Sequence, residues 1–107
     1  MTVTLVISNE IAQQLAGLHW AESEQVEEKL TKLLEAEFRR RLARYAITDR
    51  QLRQKYGMSF EEFEQKEMTR QKDYVWDVES DAIAWETAVD GMSTVQRQLR
   101  ELMHAYQ

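Results

Sequence analysis

His19 and His104 are the only two histidines, and neither has a second ligand or base at the spacing a metal or an activated nucleophile needs. The absence of cysteine removes thiolate nucleophiles, disulfides and zinc–thiolate sites together. The acid pairs Glu61 with Glu62 and Asp77 with Glu79 stand in runs of acid, not in an apolar setting that would tune a carboxyl for acid–base work. A phosphate-cradling glycine loop, a nucleophile elbow, an HExxH motif and the glycine of a calcium loop are all missing. The sequence therefore reads as a non-enzyme with no catalytic residues, no metal and no cofactor.

What remains is recognition chemistry. Residues 73–81, "DYVWDVESD", hold four acids and no base, with Tyr74 and Trp76 interleaved. Aromatic side chains bury large areas with few torsions to freeze, and an acidic strip steers toward a basic surface. Tyr74, Trp76, Asp77, Glu79, Asp81 and Trp85 are the expected partner-binding residues, and the expected partner is a basic protein. A ribonuclease is one such partner, because a surface that holds RNA is itself positive. The competing reading buries Tyr74, Trp76 and Val78 against the last helix and leaves the acids in water.

Charge is segregated along the chain. Residues 1–36 carry −4, residues 37–56 carry +5 and residues 57–107 carry −6. The basic island includes Arg39, Arg40, Arg41 and Arg44, which offer phosphate contacts or pair with the acidic ends. Residues 47–65, "ITDRQLRQKYGMSFEEFEQ", outline a helix-turn-helix around Gly57. Its second helix would turn Glu61, Glu62, Glu64 and Glu67 toward DNA phosphates, so the segment is assigned to packing or to partner docking instead.

These residues need elements to hold them. "MTVTLVIS" alternates Val3, Leu5 and Ile7 with Thr2, Thr4 and Val6, the period of a strand with one buried face. A lone strand leaves its backbone groups unpaired, which predicts pairing with a second copy. Ser8 or Asn9 caps a short helix carrying Ile11, Leu15 and Leu18. Ser23 is the expected cap of a second helix of about six turns, with Val26, Leu30, Leu33, Leu34, Phe38, Leu42 and Tyr45 on one face. Thr48 with Gln51 and Ser59 with Glu62 form capping boxes on either side of Gly57. Residues 73–79 read as extended. From about Ser80 a helix returns in which Trp85, Ala88, Met92, Val95, Leu99, Leu102 and Tyr106 follow heptad spacing, a stripe that closes on the second helix, on its copy or on a foreign groove.

The first 45 residues, "MTVTLVISNEIAQQLAGLHWAESEQVEEKLTKLLEAEFRRRLARY", resemble the ribbon-helix-helix family, over about two fifths of the chain. Members form intertwined dimers whose paired N-terminal strands enter the DNA major groove, and many are antitoxins of bacterial toxin–antitoxin pairs. The resemblance implies that Val3, Leu5 and Ile7 face inward. It puts Thr2, Thr4 and Val6 toward base edges, and it implies that residues beyond the dimerisation unit wrap a toxin.

The expected fold is mainly α: an N-terminal β-strand followed by helices in a ribbon-helix-helix-like dimer over residues 1–45, then a helical partner-binding extension over residues 46–107. Val3, Leu5, Ile7, Leu30, Leu33, Leu34 and Phe38 are the expected dimerisation residues. The leading function is an antitoxin-like inhibitor that is a homodimer and masks a basic toxin. The alternatives are a repressor using Thr2, Thr4, Arg39, Arg40 and Arg41 on operator DNA, and a non-enzymatic scaffold. No membrane span or signal peptide is evident, and a cytoplasmic protein is expected.

Overall fold

The computed structural model describes residues 1–21 and 24–105. Glu22, the expected cap Ser23 and the seam residue Tyr106 lie outside them. Among the described residues the helices are α1 (Asn9–Ala16), α2 (Val26–Tyr56), α3 (Phe60–Gln65), α4 (Met68–Gln71) and α5 (Trp76–Ala105). The chain forms two compact units, Met1–Ala36 and Glu37–Gln107; the sequence reading set the divide after residue 45. No helix among the described residues is long and apolar enough to cross a membrane.

The expected N-terminal β-strand is absent, and with it the ribbon-helix-helix architecture: no described residue is in a strand. Two-residue alternation specifies only which side chains share a face. A strand also requires a ladder of backbone hydrogen bonds, and this chain offers no second strand to supply one. Residues 1–7 make no backbone hydrogen bond with other described backbone.

In the Met1–Ala36 unit α1 starts where the cap predicts, with Ser8 Oγ accepting from the Ile11 N–H at 3.2 Å. Its far end is closed by a residue the sequence reading did not single out. Lys29 is buried, and its ammonium donates to the Leu15 and Ala16 carbonyls at 3.3 and 3.2 Å. A cation at a helix C-terminus both satisfies orphan carbonyls and complements the dipole. The connecting turn is held by Glu24, whose carboxylate accepts from the Trp20 and Ala21 N–H groups and pairs with Lys32 at 3.1 Å. Burial pushes the Glu24 carboxyl up, but these donors together hold it below the ordinary value.

In the Glu37–Gln107 unit α2 and α5 run antiparallel. Tyr56 meets Asp81, Asp49 meets Trp85, and Tyr45 meets Gly91, so one helix descends as the other rises. The sequence reading broke α2 at Thr48, yet the helix continues to Tyr56. Nothing between residues 45 and 56 removes a backbone donor, and the Thr48 hydroxyl donates back to the Arg44 carbonyl instead of capping a new start. Gly57, at φ 67°, ends α2 in the left-handed region that glycine adopts without a Cβ penalty. The Ser59 cap forms as expected, with Oγ accepting from the Glu62 N–H at 3.1 Å. The predicted extended segment gives way to a turn at residues 72–74, and α5 begins already at Trp76. Its expected seam is real: Trp85, Ala88, Val95 and Leu99 are buried.

Gly91 interrupts that seam for a packing reason. A Cβ there would lie 2.5 Å from Cε2 of the Tyr45 ring. Gly91→Ala gains about 1 kcal/mol of helix propensity. Overpacking against the ring costs about 1–3 kcal/mol, and the variant should melt below the wild type. Adding Tyr45→Leu should restore the loss non-additively in thermal unfolding. A higher melting temperature for Gly91→Ala alone would contradict this packing.

Candidate functional site

The core of the Glu37–Gln107 unit decides which of the expected binding residues face outward. Trp85 is completely buried among Leu52 and Phe63, with Tyr56 and Phe60 around it. Its indole centroid lies 5.2 Å from Phe63, 5.4 Å from Phe60 and 5.9 Å from Tyr56. The indole N–H donates to Asp49 Oδ1 at 2.8 Å, and Asp49 Oδ2 pairs with Arg53 at 3.0 Å. Asp81 is also committed within the chain. Its Oδ2 accepts from Lys55 Nζ and from the Tyr56 hydroxyl, both at 2.6 Å. Val78 packs on the same core, and Glu79 is half-buried.

Tyr74 and Trp76 do the opposite. They are 58% and 74% exposed, with Val75 between them at 52%. Asp73 and Tyr74 both adopt positive φ, 57° and 54°, a conformation that costs residues with a Cβ and persists where the surroundings enforce it. The enforcing bonds are the Tyr74 N–H to the Thr69 carbonyl at 2.9 Å and the Asp73 N–H to the Arg70 carbonyl at 3.1 Å. Asp77 and Glu79 fall in the first turn of α5, where the dipole favours acids. The result is an aromatic knuckle flanked by carboxylates.

The six expected partner residues therefore divide. Tyr74, Trp76 and Asp77 stand in solvent, Glu79 lies at the margin, and Asp81 and Trp85 turn inward. Lys55 and Asp49, which hold the inward pair together with Tyr56, were not singled out from the sequence. A signal existed: Tyr45, Asp49, Leu52 and Tyr56 are spaced by four, three and four, a stripe matching that of α5.

Within the arginine run, Arg40 and Arg41 are already engaged. Glu37 bonds Arg40 and lies 3.3 Å from Arg41 Nε. Hydrogen bonding from Arg40, against some desolvation and with help from Arg41, holds the Glu37 carboxyl at about 2. Thr2 and Thr4 are exposed. His19 and His104 are exposed as well, and no group of three or more potential metal ligands converges among the described residues.

Of the dimerisation residues, Val3, Leu5, Ile7, Leu30 and Leu33 line one open groove of about 1010 Å³ together with Ile11, Leu15, Leu18 and Val26. Leu34 is exposed outside that lining, and Phe38 belongs to the other unit. Compared with protein-family models, with curated proteins and with solved structures, the chain matches none.

The Tyr56–Asp81–Lys55 cluster has a pH signature. Burial and then the hydrogen bond to Asp81 push the Tyr56 phenol up from 10 to about 12. A phenol whose folded pKa exceeds the unfolded one contributes stability in full below pH 10, and that contribution is lost as pH rises from 10 toward 12. A phenolate absorbance step near pH 12 should vanish in Tyr56→Phe, and the stability loss over that window should shrink. An unchanged absorbance titration would place Tyr56 outside this cluster.

Proposed function

We propose that the chain is a cytoplasmic, non-catalytic protein inhibitor, antitoxin-like in action, that docks its acidic aromatic knuckle on a basic protein and works as a homodimer. The observation that carries the reading is the knuckle: Tyr74, Val75 and Trp76 stand together in solvent beside Asp73 and Asp77 on a turn held in an unfavourable conformation. Exposed aromatics in a fixed geometry suit interface anchors, because little freedom is lost when they dock.

Self-association is supported by the imbalance of the Met1–Ala36 unit. Eleven of the sixteen exposed large hydrophobics among the described residues fall there, while Leu15 is its only buried one. A unit this small cannot complete a core alone, and a second copy supplies the missing apolar surface. This dimer rests on side-chain burial in the groove and not on strand pairing. Sedimentation equilibrium should give a dimer that Leu5→Asp and Leu33→Asp each dissociate; a monomer at micromolar concentration would remove that half of the proposal.

Inhibition is tested by co-expression. A small basic protein encoded beside this chain should be toxic alone and harmless with it. Operator binding would draw on Thr2, Thr4, Arg39, Arg40 and Arg41, of which Arg40 and Arg41 already face Glu37, and a mobility shift with upstream DNA at low salt that disappears at high salt would favour the repressor instead.

A further inference from the structure

α5 carries a second seam, on the side away from α2. Its inner side is taken: Trp85 bonds Asp49 of α2, and Gly91 lies against Tyr45. At about 100° per residue, Trp76 and Ile83 stand about 180° and 160° around the helix from Trp85. They are 74% and 65% exposed, and Ser80 and Thr87 are exposed with them. The four succeed one another at intervals of four, three and four, the spacing that lets one helix lie lengthwise on another. Thr87 is suited to being covered, because its hydroxyl already donates to the Ile83 carbonyl at 2.9 Å and burial would strand no donor.

Charge selects what covers this seam. Residues 73–96 hold six acids, Asp73, Asp77, Glu79, Asp81, Glu86 and Asp90, and neither Lys nor Arg. Asp81 pairs with Lys55, whereas Glu79, Glu86 and Asp90 follow one edge of the seam, about 120°, 100° and 140° from Trp85. Two copies of this face laid together would set those acids against their own counterparts, and nucleic acid and anionic lipid are repelled in the same way. The occupant must bring cations beside its apolar anchors. We infer that the outward face of α5 takes an amphipathic helix of the basic partner, with apolar residues at three- and four-residue spacing on the seam and Lys or Arg along its margins. This rests on the proposed function and names the element by which the partner is recognised. The seam runs about 17 Å from Trp76 to Thr87, the length of about three helical turns. Its first residue belongs to the knuckle, so a single docking event engages both.

The test titrates the full chain, by calorimetry, with a synthetic four-turn peptide of leucine, alanine, lysine and arginine whose leucines share one helical face. A peptide of the same composition with its leucines spread around the helix should bind about tenfold more weakly or worse, and one with glutamate in place of lysine and arginine should not bind. Ile83→Asp should weaken binding of the first peptide by about tenfold or more although it adds a negative charge; attraction between charges alone would strengthen it. Thr87→Leu extends the apolar seam and should tighten binding. Both positions are exposed, and circular dichroism checks that each variant still folds. Leu33→Asp, in the groove of the Met1–Ala36 unit, should leave peptide binding intact. Equal binding of the two basic peptides, binding unchanged or tightened by Ile83→Asp, no gain from Thr87→Leu, or equal losses in Ile83→Asp and Leu33→Asp would each overturn the inference. Dissociation of the homodimer by Ile83→Asp in sedimentation equilibrium would overturn it too, because the face would then join two copies. If the peptide fails while the basic partner still binds through Tyr74 and Trp76, the helix alone is lost. If the peptide binds the seam of a chain that inhibits no basic protein, the functional reading is lost and the seam stands.

Discussion

Trp85→Ala should unfold most of the Glu37–Gln107 unit. Truncating a large buried aromatic costs about 3–5 kcal/mol, as lost transfer energy plus a cavity that surrounding side chains only partly fill. A unit of 71 residues has at most about 4–11 kcal/mol to lose. Here the loss also strands three rings that pack on the indole, those of Tyr56, Phe60 and Phe63, which moves the expected value to the upper end. Trp85→Phe separates packing from hydrogen bonding. It keeps much of the ring volume but removes the donor to Asp49, while Arg53 still faces that carboxylate; about 1–3 kcal/mol is expected. Asp49→Ala should cost a similar amount by the reverse route, leaving the indole N–H buried without an acceptor. Urea unfolding followed by far-ultraviolet circular dichroism and by tryptophan fluorescence measures all three. A Trp85→Ala midpoint close to the wild type would mean that the core is not built around this residue.

The same tryptophan shows what the sequence discloses and what it hides. Its place in the heptad series with Ala88, Met92, Val95 and Leu99 is a statement about a helix face, and the structure buries that face. The same residue was also expected, with Tyr74 and Trp76, to be an interface anchor. Periodicity wins because burying a contiguous stripe yields far more free energy than any single exposed ring can forgo. Local chemistry was equally legible at Ser8, Gly57 and Ser59, where a hydroxyl or a missing Cβ acts within one turn. The first seven residues were not legible in this way. Their alternation is compatible with a strand, but a strand is a relation between two segments and one segment cannot specify it. Thr48 misled for a related reason, since a capping box marks a start only where the preceding turn stops making its own hydrogen bonds. For the expected partner-binding residues composition located the tract, and only packing separates the exposed Trp76 from the buried Trp85.

Tyr74→Ala and Trp76→Ala should abolish tight partner binding and leave the fold untouched. Both side chains are more than half exposed, so each truncation should change stability by no more than about 0.5 kcal/mol. An aromatic anchor at the centre of an interface is worth about 2 kcal/mol or more, close to thirtyfold in affinity, and the double variant should lose more than either single one without strict additivity. The acids beside them act on a different quantity. Asp73→Asn keeps a residue that tolerates the left-handed conformation at φ 57°, so the turn survives while a charge is lost. Together with Asp77→Asn it should lower the association rate and flatten its salt dependence, with dissociation little changed, because exposed charges steer encounter more than they hold a complex. Asp73→Leu discriminates further: it removes the same charge at a position where a branched apolar residue is strained, and should weaken binding beyond Asp73→Asn by displacing Tyr74. Calorimetry for affinity and stopped-flow mixing for rates resolve the two contributions. If the alanine variants bind the basic partner as the wild type does, the knuckle is not the contact. The carboxylates alone would then offer only a screened, unspecific attraction, too weak to act as an inhibitor at physiological salt.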